Sequence, residues 1–442
     1  MTRFIPLVLS VLLAVRPLSA QETRSMSLED ALRFGLANNT ELIDTRLESD
    51  ILRERAFEVM TEGFPKISGQ LDYNWNFKQQ TTVIPAGAFP GQTTDVDATF
   101  LQPHIATLQA DWQQLVFDAR YLYGLQARGL FLDIADHQDA VGEIEARETI
   151  TRAYYGALVS QQASEVLQQN EAVLETILAE TRATYEAGLV DELSVDRLEL
   201  NLANLRTEIT RSRNDAQNAL KNLKYVLGMD QDDGLVLTED LDALLGEPVD
   251  GLETTGNVEE RVEFQLLSDQ VDLRGYDVKQ ARSAYFPNFY LYGRYGTQAF
   301  RNEFDFFDTG QRWFDFGSLG FTMNVTMFDG LAARSKVQQR KLQQQQQANQ
   351  LRDFEEAYAL QVDVARNDLA NALARFELQE DNLELAQRIY DKTNIMFREG
   401  VGTSLELSQA QADLTTTVVN YTQAAYDVLV ARLELDKALG NL

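Results

Sequence analysis

The chain of 442 residues has no cysteine, only two histidines and only eight prolines. Without cysteine, neither a disulfide nor a lipid on an N-terminal cysteine can hold or anchor it, so stability rests on packing alone. His104 falls in a predicted loop and His137 in a helical heptad, so no metal cluster or histidine triad can be assembled. No phosphate-cradling glycine loop precedes a helix, which leaves a nucleotide-driven role without support. The residues thus point away from an enzyme, and no cofactor or metal is expected. Basic residues are in deficit, 39 against 68 acidic, and such a surface repels nucleic acid and anionic headgroups. Beyond the first residues no run approaches the roughly 18 to 20 apolar residues of a spanning helix. Any membrane crossing therefore falls to strands. The scarcity of proline suits long uninterrupted helices.

What is present begins with residues 1–20, which read as a secretory signal. Arg3 supplies the basic start, Phe4 to Val15 the apolar stretch, and Leu18-Ser19-Ala20 the small-residue cleavage site before Gln21. Loss of Arg3 and Arg16 with the signal takes the net charge from −29 to −31.

The mature chain is internally duplicated. Tyr185 to Gly228 lies on Phe397 to Gly440 with a constant offset of 212 and no gap, matching Gly188 to Gly400, Leu193 to Leu405 and Leu202 to Leu414. Upstream, Phe64-Pro65 pairs with Phe286-Pro287 and Phe117-Asp118 with Phe328-Asp329. Each copy reads as helix, strand, strand, long helix, return helix. The first spans 21–228, with strands at 65–83 and 105–117 and a helical tip near 188–194. The second spans 258–442, with strands at 287–300 and 317–328 and a tip near 400–406. Between them, 229–257 is an acidic, glycine-rich surface linker, read as an equatorial belt. Its Asp230 to Gly234 has the look of a calcium loop, but position twelve is Leu241 in place of glutamate, which favours a solvated acidic turn.

Helix lengths point to one geometry. Ala119 to Ala187 runs 69 residues without proline, about 100 Å at roughly 1.5 Å per residue. Leu28 to Glu62 and Ser194 to Val226 sum to nearly the same number, as if two shorter helices stacked end to end beside the long one. In the second return helix Leu414, Val418, Tyr421, Ala425, Val428, Arg432, Leu435 and Leu439 form a coiled-coil seam. The first copy repeats it as Leu202, Arg206, Ile209, Arg213, Ala216, Leu220, Leu223 and Leu227, with two arginines at knob positions.

Lys66 to Lys78 alternates completely, with Ile67, Gly69, Leu71, Tyr73, Trp75 and Phe77 on one face and Ser68, Gln70, Asp72, Asn74 and Asn76 on the other. Period-two runs recur at Ala106–Val116, Phe289–Tyr295 and Leu319–Met327, each about as long as a tilted outer-membrane strand. Alternation alone also fits a soluble β-sandwich. Two hairpins between very long helices have no second sheet to cover the apolar face, however, which favours lipid. Four strands cannot close a barrel, so oligomerisation is required. Pro65 and Pro287 end the helices, Asp118 and Asp329 can cap those that leave the strands, and the long loops 84–104 and 299–317 belong outside the cell.

The duplication, the Phe-Pro and Phe-Asp switches, and the tips YEAGLVDELSVD and FREGVGTSLELSQAQ together resemble the outer-membrane efflux protein family, often called TolC-like, over essentially the whole mature chain. The resemblance implies an α+β membrane protein with four transmembrane β-strands per protomer. Three protomers would form one twelve-stranded β-barrel and an α-helical coiled-coil tunnel in the periplasm. It also implies an exit duct for efflux or type I secretion, fed by a periplasmic adaptor and an inner-membrane RND or ABC transporter. A periplasmic adaptor or coiled-coil spacer is the competing reading. The family's adaptor-contacting turns fall on Gly188, Leu189, Val190, Gly400, Val401 and Gly402, although glycines also simply end helices. Its constriction ring falls on Glu406, with Asp191 and Glu192 able to add charge from the first tip. Thr403 to Glu406 is equally a capping box. A second acidic position of some relatives falls on Gln409.

Overall fold

A computed structural model describes residues 23–246, 256–308 and 310–442. The expected signal, 1–20, lies outside them, as do residues 247–255 of the linker. In chain order the elements are β1 (Thr23–Met26), α1 (Leu28–Asn38), α2 (Thr40–Thr61), β2 (Lys66–Trp75), β3 (Thr81–Ile84), β4 (Val96–Thr99), β5 (His104–Phe117), α3 (Ala119–Glu186) and α4 (Glu192–Leu227). There follow β6 (Gly234–Leu237), α5 (Leu241–Leu245), α6 (Val262–Arg282), β7 (Asn288–Arg301), β8 (Phe314–Asn324), α7 (Ala332–Arg398) and α8 (Ser404–Leu439). The run α2-β2-β5-α3-α4 recurs as α6-β7-β8-α7-α8. The chain divides into two compact units, one of 1–46, 139–261 and 356–442, the other of 47–138 and 262–355.

The second unit holds an antiparallel sheet in the order β2-β5-β7-β8, so the hairpins of the two copies pair through β5 and β7. Register places Ile67 opposite Trp112, Leu71 opposite Leu108 and Tyr73 opposite Ala106 on one face, and Asp111 opposite Arg294 on the other. Much of the apolar face is bare: Ile67 is 76% and Leu71 70% exposed, while Ala106 is buried and Tyr73 packs against Phe304 and Phe306. On the polar face Arg294 Nε donates to Asp111 Oδ1 at 2.6 Å, and Gln109 Nε2 donates to Asp111 Oδ2 at 3.0 Å. A register shift between Leu115 and Phe117 leaves Val116 without a ladder partner.

Strand limits depart from the periodicity in three places. The expected run 65–83 splits into β2 and β3: the Asn76 N–H still donates to its in-register partner Pro103 O at 2.7 Å, but Pro103 has no N–H to return, and the Asn76 side chain donates to Gln102 O. The loop expected at 84–104 accordingly contains β4, which pairs with β3, and His104 is the first residue of β5, stacked against both Tyr73 and Trp75. The run expected at 317–328 begins at Phe314 and ends at Asn324, opposite Asn288; Pro287, with no N–H to offer, ends the ladder there.

In the first unit three apolar clusters hold the helices together. One centres on Tyr154, Ile150, Leu223 and Leu227; the second on Leu174, Leu198, Leu202, Leu407 and Leu414; the third on Leu369, Val428 and Leu435. Each fully buried leucine contributes about 1.5–3 kcal/mol. The α4 seam follows Leu198, Leu202, Leu205 and Ile209, so Leu205 takes the knob position expected of Arg206. Arg206 instead turns outward and bridges Glu171 and Glu175 of α3, at 2.8 and 2.5 Å. Arg213 is exposed as well.

The linker is not merely a surface segment. β6 pairs in parallel with β1, and Leu235, Leu237, Leu241 and Leu244 are buried around Tyr154, whose hydroxyl donates to Met26 O at 3.1 Å. Burial pushes the Tyr154 phenol up to about 12. Asp230 to Gly234 forms a turn in which Asp230 Oδ1 accepts from the Asp232 N–H, and no metal-holding cluster is found among the described residues.

The helix expected over 28–62 breaks at Asn39, which has extended ψ. Its Nδ2 donates to Val226 O in the last turn of α4 at 2.7 Å, while its Oδ1 accepts from the Leu42 N–H in the first turn of α2. One buried side chain therefore satisfies orphan groups at the ends of two helices. The offset of 222 that relates Phe64 to Phe286 also relates Asn39 to Arg261, and Arg261 Nη1 donates to Ala438 O, the match of Val226, at 2.6 Å. The copies share this device with different side chains.

Candidate functional site

The tips of the helical hairpins are built by glycine. α3 ends where Gly188, at φ +75°, lets its own N–H reach Tyr185 O and the Leu189 N–H reach Thr184 O, at 2.8 and 3.0 Å. The second copy does the same: Gly400, also at φ +75°, donates to Phe397 O, and the Val401 and Gly402 N–H groups both donate to Met396 O. These are Schellman closures, which need a left-handed residue. Gly402 is not left-handed, but a Cβ there would lie 3.0 Å from the Phe397 backbone nitrogen. The closures turn apolar side chains outward, leaving Leu189 77% and Val401 71% exposed with Leu193 and Leu405 beside them, while Val190 is half-buried.

The return helices start on side-chain caps. Asp191 Oδ1 accepts from the Ser194 N–H at 3.0 Å and from the Ser194 hydroxyl, which holds the Asp191 carboxyl below its usual range. Glu192 lies in the first turn of α4 without a cap role. Glu406 completes a capping box with Thr403: its Oε2 accepts from the Thr403 N–H at 2.9 Å and hydroxyl at 3.0 Å, and the Thr403 hydroxyl accepts from the Glu406 N–H. The backbone donor, then the hydroxyl, lower the Glu406 pKa. A depressed carboxylate stabilises the fold above its ordinary range and loses that contribution as pH falls through the lowered value. The Glu406 carboxylate is at the same time fully exposed to solvent.

The two tips touch. Arg398 at the end of α7 pairs with Glu180 of α3 at 3.0 Å, and Arg197 Nη1 donates to Ser404 Oγ at 3.5 Å. Periodicity did not reveal Asp413. Seven residues after Glu406, it shares that helix face and accepts from Gln409 Nε2 at 2.8 Å, so a carboxylate stands one turn beyond Gln409. The i, i+7 spacing alone is a signal for it.

The chain carries an apolar sheet face, with the outer strands β2 and β8 each unpaired on one side among the described residues, together with two glycine-closed helical hairpins. Residues 259–441 match the family model described as "Outer membrane efflux protein". The alkaline protease secretion protein AprF of Pseudomonas aeruginosa is 24% identical over 428 residues, covering 91% of this chain and 84% of that protein. The outer membrane protein TolC of Vibrio cholerae is 20% identical over 310 residues, 70% of each chain. A solved structure of CusC superposes with a TM-score of 0.73 at 14% identity, over 93% of this chain and 91% of that one. That last likeness establishes the fold over nearly the whole length.

Proposed function

We propose that the protein is the outer-membrane duct of an efflux or type I secretion system, passing substrate from the periplasm to the outside without chemistry of its own. The observation that carries this reading is the sheet. Much of its apolar face is uncovered, and β2 and β8 each leave one edge unpaired among the described residues. Hydrocarbon does not tolerate open edges, and four strands are too few to close. Three copies joined β8 to β2 would give twelve strands with the Asp111–Arg294 face lining the bore. No described helix is long and apolar enough to cross a membrane, so the strands are what remain to cross it. Neither an adaptor nor a coiled-coil spacer accounts for this sheet. Extraction tests the reading: the protein should stay with the membrane through salt and carbonate and come off only in detergent. Release without detergent overturns it.

In this duct the tips form the periplasmic entrance. Gly188, Leu189, Val190, Gly400, Val401 and Gly402 dock the adaptor that connects it to an inner-membrane RND or ABC transporter. The exposed leucine and valine supply apolar contact at a conformation that glycine holds open. Glu406, with Asp413 on the same face and Asp191 and Glu192 on the neighbouring tip, gives each protomer a cluster of acids. Repeated about a threefold axis, these carboxylates focus a potential that favours cations. Glu406→Gln should therefore lower the cation preference of single channels, while Thr403→Ala, which loosens the cap but keeps the carboxylate, should leave it unchanged. Equal selectivity in wild type and Glu406→Gln would leave Glu406 as a helix cap alone.

A further inference from the structure

Residues 330–352 carry five basic side chains, Arg334, Lys336, Arg340, Lys341 and Arg352, and no acidic one, in a chain whose net charge is −29. Two of them, with Arg120 from the first turn of α3, line a cavity of about 870 Å³ where α3, α6 and α7 meet the sheet. The cavity floor includes Asn288 and Asn324, joined by a hydrogen bond at 3.0 Å. These two asparagines stand opposite each other at the foot of the polar face, in line with Tyr290 and Thr322 and then Tyr292 and Gly320 above them.

The charge balance there is open. Asp118 and Asp277 also line the cavity; Asp277 is paired with Arg274 at 3.0 Å, and Asp118, whose Oδ1 accepts from the Arg120 backbone N–H at 2.7 Å, leaves one carboxylate against the three cations. Arg340 donates only to the neutral Gln343 amide. Among the described residues no carboxylate lies within ion-pair distance of the Arg120, Lys336 or Arg340 side chains. Three cations lining one basin, whose walls also include Phe286, Met323 and Val325, repel one another, and an anion placed among them relieves that repulsion while accepting charge-assisted hydrogen bonds. Arginine adds the fork geometry that suits phosphate and carboxylate.

We propose that this basin is an anion-binding station in the bore, where Arg120, Lys336 and Arg340 engage phosphate or carboxylate groups of a molecule in transit. The assignment to the bore rests on the reading of the polar face as its lining. The tips carry acidic residues and the basin basic ones, so the two select in opposite senses.

Inorganic tripolyphosphate is the probe. Titrated calorimetrically into the detergent-solubilised full chain at low salt, it should bind saturably and weaken as salt rises. Lys336→Gln with Arg340→Gln should weaken binding on the order of tenfold for each charge removed. Arg388→Gln with Lys392→Gln, an equal change of charge on an exposed stretch of the same helix outside the basin, should leave it intact. Absence of binding to the wild type, or equal loss in both double variants, overturns the proposal. In bilayers, tripolyphosphate should block the wild-type current and not that of Lys336→Gln with Arg340→Gln. Competition by phosphatidylglycerol vesicles would give the basin to a lipid headgroup and overturn its place in the bore. Open channels with no tripolyphosphate binding refute the station and spare the duct; binding without conductance refutes the duct and spares the anion site.

Discussion

Tryptophan at both Gly188 and Gly400 should abolish export while leaving the assembled protein in the outer membrane at its normal level. A side chain at either position is held at φ +75°, which costs about 1–2 kcal/mol each for a non-glycine residue. Nothing lies within 4 Å of a Cβ built at either glycine, so the strain is all the fold suffers. The apolar cluster that holds the hairpins reaches Leu178, Val195 and Leu407, with Phe397 packed against it, and includes neither glycine. An adaptor meeting the tip would meet two indole rings where the backbone now turns closely. The check is export of a known substrate together with recovery of the assembled protein from the membrane. Normal export in the double variant would mean that the glycines do no more than end two helices.

The two glycines that end the return helices should respond very differently to the same substitution. Gly228 and Gly440 occupy matched places in the duplication and similar left-handed conformations, φ +69° and +82°. A Cβ on Gly228 would lie 2.2 Å from the Asn38 carbonyl oxygen, a backbone atom held by the junction at Asn39. A Cβ on Gly440 would meet the Arg261 side chain, Cδ at 3.2 Å and Nε at 4.0 Å, and no backbone atom. Left-handed strain contributes about 1 kcal/mol at both sites, and overpacking against fixed backbone adds roughly 1–3 kcal/mol at the first. Gly228→Ala should therefore lower stability by about 3 kcal/mol and Gly440→Ala by about 1 kcal/mol, as read from denaturant unfolding in detergent. Equal losses would show that Asn38 moves freely and that the junction is not rigid.

The acidic cluster at the tips and the basic basin below the sheet were legible to different degrees. Glu406 stands in a motif, Thr403-Ser404-Leu405-Glu406, whose capping geometry is local and can be read from four residues. The basin cannot be read that way. Arg120 comes from the first copy and Lys336 and Arg340 from the second, and only the sheet and its three neighbouring helices bring them to one cavity. The unbroken basic run at 330–352 was present in the letters, but a run of charge says nothing about which groups already neutralise it.

Local chemistry alone marked the long helices and the four long strands of this protein. Period-two alternation marks the strands, since successive side chains point to opposite faces, and the heptads mark the seams around Leu202 and Leu414. Glycine at Gly188 and Gly400 marks the tips because few other residues accept a left-handed backbone. Repetition of all of these at fixed offsets revealed the duplication. Tertiary structure decided what non-local partners settle: that β5 pairs with β7 and joins the copies in one sheet, that β6 reaches β1, and that Leu205 displaces Arg206 from the seam. It also decided that the helix over 28–62 breaks at Asn39, where helical periodicity gives no warning. The reason lies in Val226, whose otherwise orphan carbonyl, far along the chain, accepts from Asn39 Nδ2.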